Sequence, residues 1–189
     1  VVERRRVVSG ERVEPGDGVI GLRSSGLHSN GYSLARKLIF EVAGLGPQES
    51  LADWGVDRTV ADELLEPTRI YVRSVRGVLG YYRVKQVVHA MAHITGGGLP
   101  GNLTRVLPPG CAVRIDSGAW ERPPIFEALS RIGEVPDQEM YRTFNMGIGL
   151  VMIVAPYYEQ HVMHLLRRRG EKPVLIGRVV KGRREVSIS

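Results

Sequence analysis

The pattern of apolar and polar positions predicts alternating strands and helices. Val1 to Val8 is strand-like and ends at a Ser9-Gly10 turn, and 14–18 is a second turn cluster before a short apolar strand, Val19 to Leu22. A strand-like run at the first residue gives the expectation that sequence precedes it. Leu34, Leu38 and Val42 recur every four residues, which predicts an amphipathic helix from Tyr32 to Val42, capped by Ser29 or Asn30 and ended by Gly44 and Gly46. Thr59 to Leu65 reads as a helix interrupted by Pro67, and Arg69 to Tyr82 as another. Gln86 to Ile94 becomes strand-like before a glycine run, and Leu99 to Val106 is helical.

Past the turn at Pro108-Pro109-Gly110, the pattern predicts a strand at Ala112 to Ile115 and helices at Pro124 to Ile132 and Asp137 to Thr143. Gly147 to Val154 is nearly all apolar, as a strand buried on both faces would be. A helix over Tyr157 to Arg169 ends at Gly170, and Val174 to Val180 with Glu185 to Ile188 reads as a closing hairpin. The fold class this implies is α/β, a mixed β-sheet with helices packed on it, in a single domain spanning 1–189.

Composition changes this picture little. The 189 residues are 43% hydrophobic and 24% charged, which suits a globular domain and excludes a disordered tail. No apolar run approaches the roughly 20 residues that span a bilayer, and no signal-peptide pattern opens the chain. The single cysteine, Cys111, sits in a strand-like run and reads as a small buried hydrophobe; a lone cysteine suits a reducing, cytoplasmic compartment. Charge is more informative. The net charge is +6 and 22 of the 26 basic residues are arginine, a balance that attracts phosphorylated molecules or nucleic acid. The clusters at 4–6, 167–169 and 183–184 have no aromatic residues interleaved in sequence, so single-strand stacking is not indicated and nucleic acid is not the expected partner.

Three segments carry candidate chemistry. Gly26-Leu27-His28-Ser29-Asn30-Gly31 lies between a strand and a helix start, where glycines let the backbone approach an anion and free N–H groups point outward. The alternative there is a well-capped helix. Thr95-Gly96-Gly97-Gly98, continuing to Asn102, repeats the strand–loop–helix order; three consecutive glycines are costly unless tight geometry, a ligand or a hinge needs them. It is neither a P-loop nor the dinucleotide fingerprint. The third segment, 140–147, delivers Arg142 and Asn145 just before the buried strand, where Asn145 could bond a ligand or bridge loops. His89 and His93 would share a helix face, but without the glutamate of a zinc motif or another nearby carboxylate they are not expected to bind a metal.

Together these segments resemble one family. Ser24 through Leu34 is similar to its second-half signature, and Leu65-Glu66-Pro67-Thr68-Arg69-Ile70-Tyr71, His93 to Gly98 with Asn102, Arg105 to Pro108, and Met140 to Asn145 match further stretches in order. The family is aminoimidazole ribonucleotide synthetase, also called phosphoribosylformylglycinamidine cyclo-ligase. The resemblance runs the length of the chain but covers only that family's C-terminal domain, because the acidic Gly-Thr-Lys motif for ATP and magnesium of its N-terminal domain is absent. It implies ATP-dependent ring closure of formylglycinamidine ribonucleotide in purine biosynthesis, with ATP and magnesium as cofactors. The N-terminal domain would be the partner and hold most of the metal ligands, a homodimer is possible for the family, and this half would be inactive alone.

The resemblance further implies His28 as a proton-transfer or phosphate-binding residue, chosen for an ordinary pKa near neutrality. Gly26, Ser29, Asn30, Gly31, Thr95, Gly96, Gly97, Gly98, Asn102, Arg142 and Asn145 would hold substrate or nucleotide, with no metal ligand among them. Competing readings are a domain of a related ATP-using enzyme (formylglycinamidine ribonucleotide synthetase, selenophosphate synthetase, thiamine-phosphate kinase or a hydrogenase maturation factor) and a non-catalytic basic binding module.

Overall fold

The computed structural model describes residues 6–189. Thirteen regular elements follow in order: β1 (Gly18–Arg23), α1 (Tyr32–Arg36), α2 (Val60–Leu64), α3 (Val72–Tyr81), β2 (Val88–His93), α4 (Gly98–Val106), β3 (Cys111–Ile115), α5 (Pro124–Gly133), α6 (Asp137–Thr143), β4 (Ile148–Val154), α7 (Glu159–Arg167), β5 (Val174–Lys181) and β6 (Val186–Ile188). The strands form one mixed sheet in the order β2-β4-β1-β5-β3-β6. All pairings are antiparallel except β3 with β6.

Alternation along the strands divides the core into two layers. On β4, Val151 and Ile153 face a large cluster built with α1, α2, α4, α5 and α6, while Leu150, Met152 and Val154 face a smaller one built with α3 and α7. Every residue of β4 is buried, as its continuous apolar run predicts. Cys111 is buried, its thiol bonds the carbonyl of Val13, and burial raises its pKa. No helix of the described residues is long and apolar enough to cross a membrane.

Several expectations need correction. The strand at Val1 to Val8 falls mostly outside the described residues, and 6–8 form no strand. The closing hairpin does not form. β3 inserts between β5 and β6, pairing antiparallel with the former (Cys111↔Lys181) and parallel with the latter (Val113↔Val186). Periodicity shows which face a strand buries, but not which neighbour takes its edge. The helix at Tyr32 to Val42 is α-helical only to Arg36 and continues as a π-helical turn, Lys37–Val42. Its N-cap is Gly31 in the left-handed region, with no side-chain cap, because Ser29 and Asn30 bond elsewhere. The helix expected from Arg69 begins only at Val72.

Candidate functional site

The three motif segments meet at one end of the sheet. Arg23 at the end of β1 pairs with Ile148 at the start of β4, and His93 at the end of β2 pairs with Leu150. The loops that follow β1 and β2 therefore lie beside the segment that leads into β4.

Asn145, 1% exposed, joins the first and third segments. Its amide nitrogen donates to the carbonyls of Gly26 (2.9 Å) and Leu27 (3.1 Å), and its oxygen accepts from the Ser24 hydroxyl (2.9 Å) and the Gly147 N–H (2.8 Å). Two donors and two acceptor sites are the full capacity of an amide side chain, so none remains for a ligand. Asn102 does the same within the second loop. It donates to the carbonyls of Thr95 (3.0 Å) and Gly98 (2.8 Å), and accepts from the Thr95 hydroxyl (3.0 Å) and Arg105 (3.2 Å). Asn30 reaches from the first loop to the carbonyl of Ile94 just before the second, at 3.3 Å.

Two glycines let the segments close on one another. A Cβ on Gly31 would lie 2.3 Å from the Phe144 ring, and one on Gly98 would lie 1.8 Å from the Tyr141 carbonyl oxygen. Both have positive φ, 71° and 58°. Gly96 differs. It is exposed, a Cβ there would meet nothing, and the N–H groups of Gly96 and Gly97 make no hydrogen bond among the described residues. These N–H groups sit at the N-terminus of α4, where partial positive charge favours an anion.

His28 is 3% exposed and has a left-handed backbone, φ 56°. Its Nε2 accepts the N–H groups of Ser25 (3.1 Å) and Arg69 (3.4 Å), so the neutral tautomer carries its proton on Nδ1, which has no partner. Burial, then the charges of His93 and Arg69, lower its pKa to about 4. This corrects the premise of an ordinary pKa: at neutral pH the ring is an uncharged hydrogen-bonding group. The His28, Tyr71 and His93 rings form a triangle with centroids 6.2–6.5 Å apart, and Tyr71 donates to the carbonyl of Arg23 (2.7 Å). Burial raises the Tyr71 pKa, so it stays a donor.

Sequence reasoning singled out neither Tyr71 nor Glu63 as a site residue. Glu63 is buried beside Gly26, with its pKa raised by burial and opposed by an ion pair to Arg58 at 3.3 Å. Tyr71 did lie within a quoted motif; the signal for Glu63 was only its place in the preceding short helix. Arg142 is not drawn into the network. Its side chain is 78% exposed and lies 4.0 Å from Glu139. Ser29 shares a hydrogen bond with Thr68 (3.1 Å).

His89 and His93 lie on β2, not on a helix, and go to different places. His93 faces the triangle, while His89 Nδ1 is 2.7 Å from the buried Asp17, a carboxylate 72 positions away that sequence proximity could not reveal. Among the described residues no group of three His, Cys, Asp or Glu side chains could hold a metal.

The family model described as "AIR synthase related protein, C-terminal domain" matches residues 14–189. Proteins named phosphoribosylformylglycinamidine cyclo-ligase are similar along nearly the whole chain. The one from Anaeromyxobacter dehalogenans is 50% identical, covering 96% of this chain and 50% of its own length. The one from Geotalea daltonii is 46% identical with the same coverage, and the one from Myxococcus xanthus is 45% identical, covering 99% and 52%. The chain thus spans about half the length of the curated relatives it matches. Among solved structures, thiamine-monophosphate kinase from Stenotrophomonas maltophilia superposes with a TM-score of 0.62 at 18% identity, covering all of this chain and 54% of that one. The hydrogenase maturation protein HypE of E. coli gives 0.59 at 17%, covering 96% and 48%. At these identities the likeness concerns the fold alone.

Proposed function

Because the chain belongs to the AIR synthase related protein family, as its C-terminal domain, we propose that it supplies one half of a phosphoribosylformylglycinamidine cyclo-ligase. The observation that carries this is identity of 44–50%, over nearly the whole chain, with proteins of that name. On this reading the γ-phosphoryl group of ATP passes to the amide oxygen of formylglycinamidine ribonucleotide with release of ADP, and a nitrogen of the same molecule then attacks the activated carbon, expelling phosphate and closing the imidazole ring. Such a reaction depends on positioning and charge stabilisation more than on covalent help from the protein.

The residues of this chain divide into two tasks. Asn145, Asn102, Gly31 and Gly98 have their bonding or space taken up by protein, so they position. Gly96, Gly97 and Arg142 are open and fit a phosphate or the polar edge of the substrate; Ser29, Asn30 and Thr95 bond Thr68, the Ile94 carbonyl and Asn102, and keep only part of their hydrogen-bonding capacity for a ligand. His28 stays neutral: Nε2 holds the first loop to Arg69, leaving Nδ1–H as its available donor. The described residues do not fit magnesium. The carboxylates beside the first loop, Glu63 and Glu66, are both paired with Arg58. The metal ligands belong to the N-terminal half, the partner this reading requires.

The test is complementation. This chain is combined with the N-terminal half of the Anaeromyxobacter dehalogenans relative, and ADP release dependent on formylglycinamidine ribonucleotide is measured. Release by the pair and by neither half alone is expected. A stable pair without substrate-dependent release would refute the assignment.

A further inference from the structure

The end of the sheet opposite the motifs, where β2 begins rather than ends, carries a cleft of about 830 Å³. Four arginines and a lysine line it, Arg6, Arg12, Arg76, Arg83 and Lys85, and no carboxylate among the described residues does, although Glu11 lines an adjoining recess that shares Arg12. None of the five forms an ion pair among the described residues, although the chain has 20 acidic residues. Arg83 and Lys85 are tethered to the Gly80 carbonyl and the Tyr158 hydroxyl, while the guanidiniums of Arg6, Arg12 and Arg76 have no hydrogen-bond partner among the described residues. Like charges gathered without counterions repel, and the field they set up favours an anion. Guanidinium forks suit phosphate oxygens.

The aromatic residues absent from the basic clusters in sequence are supplied here by the fold. Tyr82 is in the cleft wall. Its ring lies edge-on to Tyr81 (5.0 Å) and Tyr158 (5.5 Å), and Tyr158 in turn to Tyr157 (4.9 Å). Lys85 sits 5.6 Å over the Tyr158 ring. Tyr157 is 88% exposed and Tyr81 59%, so the ring cluster that begins at Tyr82 in the cleft wall continues outward to open aromatic surface. Open rings beside a cation-lined groove are how a base and its phosphate are held together. The volume falls in the range of small-molecule sites.

We propose that this cleft binds a phosphate chain bearing an aromatic base, either as a free nucleoside polyphosphate or within single-stranded RNA. The site is independent of the ring-closing reading, since it shares no residue with the motif end. The 189-residue chain is titrated with a fluorescent ATP analogue and with a dye-labelled oligouridylate, at low and moderate salt. Binding of at least one probe is expected at roughly micromolar Kd, falling several-fold between about 50 and 200 mM salt. The R12E/R76E pair, both exposed positions, should weaken it at least ~10-fold, with an unchanged melting curve as the folding control. Tighter binding of ATP assigns the site to free nucleotide; tighter binding of the oligonucleotide assigns it to RNA. No binding of either probe, or binding that survives R12E/R76E, would overturn the proposal. Binding lost instead on Arg142→Ala would place the nucleotide at the motif end and overturn it too.

Discussion

The two glycine loops look alike in sequence and behave differently in space. Each follows a strand at the same sheet end, and each helix that follows is capped by a glycine with positive φ, Gly31 or Gly97. In 26–31 the interior is filled by protein: Gly26, Leu27 and His28 are buried, and Gly31 lies against Phe144. In 95–98 only Gly98 is pressed against protein, while Gly96 borders open space. Glycine content therefore does not identify a ligand loop. What distinguishes the two is whether the missing Cβ makes room for another part of the chain or for nothing in this chain.

The sharpest way to break this comparison is Gly98→Ala. The new Cβ would overlap the Tyr141 carbonyl at 1.8 Å, on a backbone with φ of 58°. Neither backbone can yield without moving α6, so a loss above about 4 kcal/mol, or failure to fold, is expected. Urea unfolding measures it, and a loss under about 1 kcal/mol would mean that the segments do not meet as closely as described.

Asn145→Ala comes next. It strands the carbonyls of Gly26 and Leu27, the Ser24 hydroxyl and the Gly147 N–H, all near or within the buried loop. Unmade buried hydrogen bonds cost about 1–3 kcal/mol each, and partial relaxation should hold the total near 3 kcal/mol. Asn30→Ala removes a single long bond at a half-buried position and should cost under about 1 kcal/mol. Equal losses in the two variants would refute the division between the fully bonded amide of Asn145 and the singly bonded one of Asn30.

His28 sharpens the comparison through pH. Unfolded, it titrates near 6.5; folded, near 4. Between those values the unfolded chain binds the extra proton, so stability is complete above the unfolded pKa and is lost as pH falls toward 4. From pH 7 to pH 5 this one group should remove about 2 kcal/mol. His28→Asn, which tolerates the left-handed backbone, should flatten that slope by the same amount whatever its effect at pH 7. An unaltered slope would show the ring to be solvated.

Much of the fold was legible because burial leaves a local record. The unbroken apolar run of β4 and the four-residue spacing of Leu34 and Leu38 follow directly from the faces they bury. The place of β3 between β5 and β6 left no such record, since a strand's two edges use backbone groups that every residue shares. The same holds at the site. The polar and glycine positions were visible as a set, but what each one touches depends on contacts such as Asn145 to Gly26, 119 positions apart. His28 is the clearest case. Its residue type suggested a titrating group, and only its enclosure by the loop and Tyr71 makes it a neutral one.

Gly96→Ala tests the other half of the comparison with the smallest structural effect. Its Cβ would meet no atom of this chain, and its φ is not in the left-handed region, so stability should change by less than about 0.5 kcal/mol. A methyl group there nevertheless adds bulk beside the N–H groups of Gly96 and Gly97, which have no partner among the described residues and which a phosphate would have to approach closely. In the complemented enzyme the expected outcome is intact folding with turnover lowered at least ~10-fold, or about 1.4 kcal/mol of lost transition-state stabilisation. Since Gly98→Ala would lower turnover simply by unfolding the site, only a stable variant with lost activity separates ligand space from packing space. Full activity in Gly96→Ala would leave the second loop, like the first, a device for joining segments of the chain.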